Sequence, residues 1–229
     1  KSQKAPPIAE LFFYLKLARN SILMVYTIYP ESINDKVISD CVERLLKGET
    51  AIIPTDSVYA VVGDFQHPKA LKKLADIKRE SVKESEFSFL FTNLSQVSEY
   101  TQSVNGAVFK FIKRCLPGPY TLILEANINL AKKLGQKRKT IGIRIPDNTI
   151  VQALAEKLGR PLASASLHHD DDVLQYPTDP EEIIAAYSDK ADFIINGGWG
   201  DNVPSTVIDL SEGIPVLIRA GKGDPDVIG

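Results

Sequence analysis

The sequence predicts an α/β protein in which a sheet is covered by helices. Short β-branched runs such as 50–53 and 206–210 alternate along the chain with longer segments of helical periodicity. The 229 residues are 44% apolar, enough for a proper core. The length also stays below the roughly 250 residues at which a single core tends to split. We therefore expect one domain over residues 24–229.

The predicted helices begin or end at residues that favour such positions. Asn34 is a typical N-cap and Gly48 a typical stop, and His67 with Pro68 opens the next helix. Further helices are predicted around Val97 and over 104–115, 147–158 and 180–187. Strands are predicted at 50–53, 87–91, 120–124, 140–145, 161–166, 192–195, 206–210 and 214–219.

Residues 1–23 form an extension ahead of this pattern. They contain a Pro pair and an apolar run edged by Lys16 and Arg19, and Met24, the only methionine, follows them. The plainest interpretation is an amphipathic helix that docks on the core or on a second subunit. A native extension, a cloning remnant and a trimmed targeting peptide are the alternatives, and the role of the segment is left open.

Cysteine usage and hydropathy exclude several classes of protein. Cys41 and Cys115 lie far apart, which excludes a disulfide scaffold and a CxxC metal or redox site. We expect two buried thiols in a reducing compartment, and hence a cytoplasmic protein. No apolar run reaches the roughly 20 residues of a bilayer crossing, so no membrane partner is expected.

The net charge of −2 conceals a strong segregation of charge. Residues 100–146 carry a net charge of +8, whereas residues 170–192 are strongly acidic. Such a basic window can attract ligands that carry phosphate. The alternative interpretation is a set of solvated helix faces and loops.

Hydroxyl and cationic residues recur where predicted strands meet loops, the usual ligand position of open α/β sheets. Arg144 shares a strand face with Gly142, and Ser164 shares one with Ser166. Each signal alone is more often structural, but together they predict a phosphate site. The segments concerned are 54–59, 140–146, 161–166, 204–209 and 218–223.

The order of these segments resembles that of the YrdC-like family, over nearly everything from Tyr26 to Arg219. The matching motifs are KGETAIIPTDSVYAVVGD, LADIKRE, PGPYTLIL, RKTIGIRIPDN, RPLASAS, PSTVIDL and VLIRAG. The resemblance implies a twisted open mixed sheet, flanked by helices, with a positively charged concave cavity. It also implies synthesis of threonylcarbamoyl-adenylate from ATP, bicarbonate and L-threonine, with release of pyrophosphate. That reaction is the first step towards N6-threonylcarbamoyladenosine at position 37 of transfer RNA.

The resemblance also assigns roles to individual residues. Thr55 and Ser57 would bind the threonine substrate, and Lys78 and Arg144 would be catalytic. Mg²⁺ would enter with ATP, and no protein residue is assigned as a metal ligand. The residues implied to bind the nucleotide or its phosphates are Ser164, Ser166, Ser205 and Arg219.

Three departures connect the chain with the YciO branch of the family. Glu80 stands where the synthases have Arg, and Ser88 lies where they have a Lys. The Ser-x-Asn motif of the synthases is replaced by Ser164-Ala165-Ser166, followed by Leu167. The stretches RKTIG, DPEEI, NGG and TVIDL match the same branch. The alternative function is therefore an RNA- or nucleotide-binding protein with weak or no synthase activity.

RNA binding is predicted from the basic window, with transfer RNA or double-stranded RNA as the partner. The residues expected to contact its phosphates are Lys137, Arg138 and Lys139, on a presumed loop. The run 168–172 is interpreted as a solvated acidic loop rather than a metal site. Trp199, between two glycines, is expected to close the core from a loop, and stacking on a nucleotide base is the alternative.

Overall fold

A computed structural model describes residues 23–78, 81–82, 85, 87–128, 130, 139–167 and 176–228. Residues 1–22 of the predicted extension, residues 131–138 of the basic window and the acidic run 168–172 lie outside the described residues.

The described residues form ten strands and six α-helices. The helices are α1 (Asp35–Leu46), α2 (Pro68–Ile77), α3 (Leu94–Ser98), α4 (Gly106–Cys115), α5 (Thr149–Leu158) and α6 (Pro180–Tyr187), followed by a 3₁₀ turn at Pro225–Ile228. The strands are β1 (Met24–Thr27), β2 (Thr50–Ile53), β3 (Ala60–Asp64), β4 (Ser88–Leu90), β5 (Tyr120–Glu125), β6 (Thr140–Arg144), β7 (Leu162–Ser166), β8 (Phe193–Asn196), β9 (Thr206–Asp209) and β10 (Val216–Arg219).

All ten strands belong to one sheet, in the order β1-β8-β2-β3-β7-β4-β6-β5-β9-β10. Four neighbouring pairs are parallel, as in β5 with β9, and five are antiparallel, as in β5 with β6. The predicted α/β fold with an open mixed sheet is confirmed.

The helix starts follow the signals seen in the sequence. Asn34 accepts hydrogen bonds from the backbone of α1, and His67 with Pro68 begins α2 without a side-chain cap. Asn105 and Asn148 cap α4 and α5 in the same way, so these helices begin two residues later than predicted. An Asn at the N-cap has extended backbone angles, which places it outside the helix.

Strand β3 was not predicted. Its five residues, Ala60–Asp64, are all buried and pair antiparallel with β2 and β7. A strand buried on both faces shows no alternation of apolar and polar residues. Only the short loop 54–59 separates it from β2, and the sequence pattern alone did not divide the segment into two strands.

Helices cover the two faces of the sheet unequally. On one face α1 and α5 pack against β2, β3, β7 and β8. On the other face α2, α4 and α6 contribute to the larger apolar cluster. Leu90 and Leu162 belong to the first cluster, and Ser88 and Ser164 lie two residues away on the same strands. Side chains two residues apart share a face, so this face changes from apolar to polar along β4 and β7.

The two thiols are buried, as the sequence predicted. Burial raises the pKa of Cys41 to about 12 and that of Cys115 to about 11. A thiol with such a pKa carries almost no thiolate near neutral pH and is a poor nucleophile. Neither cysteine is therefore a candidate for the chemistry of the protein.

Candidate active site

A cavity of about 490 Å³ occupies the polar part of this sheet face. Its lining comes from the neighbouring strands β7, β4, β6, β5, β9 and β10, and from the end of α2. The cavity begins where the apolar cover of α1 and α5 ends. The twist and unequal cover of the sheet thus leave a concave surface open to a ligand of nucleotide size.

Strand register arranges the lining in two transverse rows. The first row runs through Ser164, Ser88, Gly142, Ile123 and Asp209. The second runs through Thr121, Val207 and Arg219, and Arg144 lies two residues beyond Gly142 on the same face. Hydroxyl groups and a glycine therefore form the floor, with an arginine from β6 and another from β10 beside it.

Arg144 is held at the cavity wall by the loop that follows β2. Its Nη2 donates to Asp56 Oδ1 at 2.8 Å and to Ser57 Oγ at 3.0 Å, and lies 3.5 Å from Thr55 Oγ1. Asp56 Oδ2 accepts a further hydrogen bond from the backbone N–H of Asp147. Because both partners of the ion pair are only 7% exposed, the guanidinium is fixed rather than freely rotating.

The Arg144 guanidinium has capacity for a further acceptor. Its buried Nε has no hydrogen-bond partner among the described residues. Burial lowers the pKa of Arg144, Asp56 opposes this shift, and the charge of Arg219 adds to the lowering. A buried donor without a partner is costly, and two like charges repel each other. An anionic ligand between the two arginines would relieve the repulsion between their charges.

The second arginine, Arg219, contacts a residue that carries a hydroxyl group. Arg219 Nη2 donates to the carbonyl oxygen of Ser205 at 2.8 Å, and the hydroxyls of Thr121 and Ser205 lie 2.8 Å apart. These residues come from β5, from β10 and from the loop before β9. Together they form a group of donors of the kind that binds phosphate oxygens.

Lys222 connects the segment after Arg219 with the loop that holds Arg144. Its Nζ donates to the carbonyl oxygen of Asp56 at 2.8 Å and pairs with Asp201 Oδ2 at 2.7 Å. The backbone N–H of Asp201 donates to the carbonyl oxygen of Ser57. The loop around Asp56 is thereby connected to the residues just after β10, so the positions of Arg144 and Arg219 are linked.

Most of the site residues implied by the family resemblance lie together. The cavity lining contains Lys78, Arg144, Ser164, Ser166, Ser205 and Arg219. Thr55 and Ser57 lie behind Arg144 instead. The Thr55 hydroxyl is buried, donates to the carbonyl oxygen of Val58 and accepts from the backbone N–H of Ser57. Its role in binding threonine stays a prediction.

Other predicted features lie away from the cavity lining or outside the described residues. Lys137 and Arg138 are not described, and Lys139 is exposed, so RNA binding by these three residues stays a prediction. The interpretation of Trp199 was wrong, because its side chain is 75% exposed. Its loop is held by Tyr59, whose hydroxyl donates to the carbonyl oxygen of Gly198, so the loop needs no aromatic anchor of its own.

The described part of the chain has neither a metal-binding cluster nor a membrane-spanning helix. The described residues contain no cluster of three or more His, Cys, Asp or Glu side chains suited to a metal ion. Among the same residues, no helix has the length and hydropathy that crossing a membrane would require.

Sequence reasoning missed the roles of Asp56, Thr121, Asp209 and Lys222. Asp56 and Asp209 lie inside motifs that carry the family resemblance, but one sequence does not say which polar residue of a motif faces a ligand. Thr121 and Lys222 depend on contacts over 84 and 166 residues of chain, respectively. No local pattern could have identified those contacts.

Gly142 forms part of the cavity floor, and a methyl group there should block the ligand. A Cβ at this position would lie 3.0 Å from Ser88 Oγ and 3.1 Å from Thr121 Cγ2. For Gly142→Ala we expect a loss of nucleotide affinity of about 1 to 3 kcal/mol, the usual cost of overpacking. Isothermal titration calorimetry measures it. Gly106→Ala is the matched control because its Cβ would meet nothing within 4 Å. Equal affinities in the two variants would remove Gly142 from the site.

The chain matches a protein family model and is similar to several known proteins. The Sua5/yciO/yrdC family model, described as telomere recombination, matches residues 43–221. YciO of Escherichia coli is 37% identical over 200 residues, which is 87% of this chain and 96% of that protein. A putative threonylcarbamoyl-AMP synthase of Methanocaldococcus jannaschii is 28% identical over 204 residues, covering 89% of this chain and 94% of that protein.

Solved structures show the same fold. The crystal structure of E. coli YciO superposes with a TM-score of 0.82 at 35% identity and covers 90% of this chain and 99% of that one. The crystal structure of P. abyssi Sua5 complexed with L-threonine superposes with a TM-score of 0.75 at 25% identity. It covers 86% of this chain and 57% of that one. The twisted open sheet expected from the sequence is thus shared with both proteins.

Proposed function

The chain belongs to the Sua5/YciO/YrdC family, and from that premise we propose that it is an ATP-dependent enzyme of the threonylcarbamoyl-AMP synthase type. The proposed substrates are ATP, bicarbonate and L-threonine. The observation that carries the proposal is the pair of arginines that line the cavity together with hydroxyl-bearing residues. The likeness to a putative synthase and to a threonine-bound Sua5 supports the choice of substrates.

The proposed reaction needs neutralised charge rather than a protein nucleophile. The amino nitrogen of threonine bonds to the carbon of bicarbonate, and water leaves to give a carbamate. A carbamate oxygen then attacks the α-phosphorus of ATP, the bond from that phosphorus to the bridging oxygen breaks, and pyrophosphate leaves. Arg144 and Arg219 would stabilise the charge on the phosphoryl oxygens, and the rigid hydroxyl floor would orient the reactants.

Mg²⁺ is proposed to enter with the phosphates of ATP. Mg²⁺ keeps several waters and commonly uses few protein ligands beside substrate phosphates. The donor set fits this mode, since the hydroxyls of Thr121 and Ser205 lie together at the cavity and the described residues contain no cluster of carboxylates suited to a metal ion. The hydroxyls of Thr121 and Ser205 would hold the ion or its waters, and the ion would supply charge neutralisation at the phosphates.

Direct assay of the purified chain tests the proposed function. We expect release of pyrophosphate, and a product with the mass of threonylcarbamoyl-AMP, only when ATP, bicarbonate and L-threonine are all present. Omitting each substrate in turn is the control. ATP binding without product would contradict the synthase proposal, and absence of ATP binding would contradict any nucleotide function of the cavity.

The second candidate is a nucleotide- or RNA-binding protein with weak or no synthase activity. Ser88 favours it, because this cavity-lining position carries a neutral hydroxyl where the synthase pattern has a lysine. Exposed cations on α4, Lys110 and Lys113, could add to the three predicted RNA-binding residues. Transfer RNA or double-stranded RNA is the proposed partner, and a cytoplasmic location is proposed with it. The assay above separates the two candidates by the amount of product, because the first predicts efficient synthesis and the second predicts little or none.

A further inference from the structure

We propose that Asp209 binds the ribose hydroxyls of the nucleotide, an inference that rests on the proposed function. Along β9 the residues alternate, with Thr206 and Ile208 fully buried and Val207 and Asp209 partly exposed. Val207 and Asp209 both line the cavity. Because successive side chains of a strand point to opposite faces, the Asp209 carboxylate lies on the ligand side of the sheet.

The side chains around Asp209 favour a contact with a sugar over an ion pair with another residue. Its partner in register on β5 is Ile123 and on β10 is Val216, and Val207 precedes it on the same face. No Lys, Arg or His among the described residues forms a salt bridge with it. Of its two oxygens, Oδ1 accepts from the backbone N–H of Ser211 at 2.8 Å. The other oxygen is therefore available to a ligand.

The position of Asp209 relative to Arg219 indicates which part of the nucleotide it contacts. Val207 is the register partner of Arg219, and Asp209 lies two residues further along β9, about 7 Å at the usual rise of a strand. A carboxylate that near a phosphate site would repel bare phosphates, so the group it meets is either a hydrogen-bond donor or a cation, and we assign it a donor. In a nucleotide bound through its phosphates, the nearest hydrogen-bond donors of the ligand are the 2′ and 3′ hydroxyls of the adjoining ribose.

Ribose is the ligand group that matches all of these features. Its hydroxyls can donate to the carboxylate in charge-assisted hydrogen bonds, and its carbon face can pack on Ile123 and Val207. A carboxylate performs the same task for the ribose in dinucleotide-binding folds, on an unrelated site. Asp209 would thus select ribonucleotides over deoxynucleotides.

The test compares ATP with 2′-deoxy-ATP and 3′-deoxy-ATP in the wild-type chain and in Asp209→Asn. Asn keeps the shape of the side chain and can still accept from Ser211 N–H. We expect the wild type to prefer ATP by about tenfold or more over at least one deoxy analogue, the range of a charge-assisted hydrogen bond. Asp209→Asn should lose most of this preference. Glu212→Gln, an exposed carboxylate on the following turn, is the matched control and should keep it.

Each outcome decides a separate question. Equal binding of ATP and both deoxy analogues by the wild-type chain would overturn the inference without any variant. An unchanged preference in a folded Asp209→Asn would also overturn it. If the variant loses affinity only when Mg²⁺ is present, the carboxylate serves the metal and not the sugar. Failure of the wild type to bind any of the three nucleotides would instead reject the proposed function, and this inference with it.

Discussion

Replacing Arg144 by Ala should both weaken nucleotide binding and destabilise the fold. The loss of charge-assisted hydrogen bonds to phosphate is expected to cost about 1.5 to 3 kcal/mol of binding free energy. The variant also leaves the Asp56 carboxylate, 7% exposed, without its cationic partner. Breaking a buried ion pair from one side costs about 3 to 5 kcal/mol of unfolding free energy. Calorimetric titration with ATP and thermal unfolding measure the two losses separately.

A double variant separates the two effects of Arg144→Ala. Asp56→Ala combined with Arg144→Met removes both charges, and we expect it to recover much of the lost stability because no unpaired buried charge remains. It should still bind ATP poorly. If the folded double variant bound ATP as tightly as the wild type, Arg144 would not belong to the phosphate site.

The second large effect is expected at Arg160, which does not line the cavity. Arg160 Nε lies 2.9 Å from Asp64 Oδ1 and Nη2 lies 2.5 Å from Oδ2, and the Asp64 side chain is only 3% exposed. For Arg160→Met, Asp64 keeps the backbone N–H of Gln66 but loses its cation. We expect the unfolding free energy to fall by about 3 to 5 kcal/mol, measured by urea denaturation.

Two comparisons test the interpretation of Arg160. Lys157→Met removes a surface ion pair with Asp35, whose carboxylate is 83% exposed, and should cost no more than about 1 kcal/mol. Nucleotide affinity of folded Arg160→Met should equal that of the wild type, because neither Arg160 nor Asp64 lines the cavity. A destabilisation no greater than that of Lys157→Met would show that the pair is not effectively buried.

The sequence by itself determined the fold class and the position of most elements. Asn34 and Gly48 bound α1, alternation placed Ser164 and Ser166 on one strand face, and the motif order identified the family. These features are local, because caps, periodicity and motifs depend on neighbours within a few residues. The two buried thiols likewise follow from composition and spacing.

Only the tertiary structure decided which polar residues meet. Sheet order brings β5, β9 and β10 beside β6, and this places Arg219 opposite Val207 and Thr121 beside Ser205. The tertiary structure also decided which arginine can reach a ligand. Arg144 and Arg160 both lie on or next to a strand, and each pairs with a buried aspartate. Of the two, only Arg144 lines the cavity. Those differences arise from contacts between residues distant in the chain, on which local propensity and periodicity carry no information.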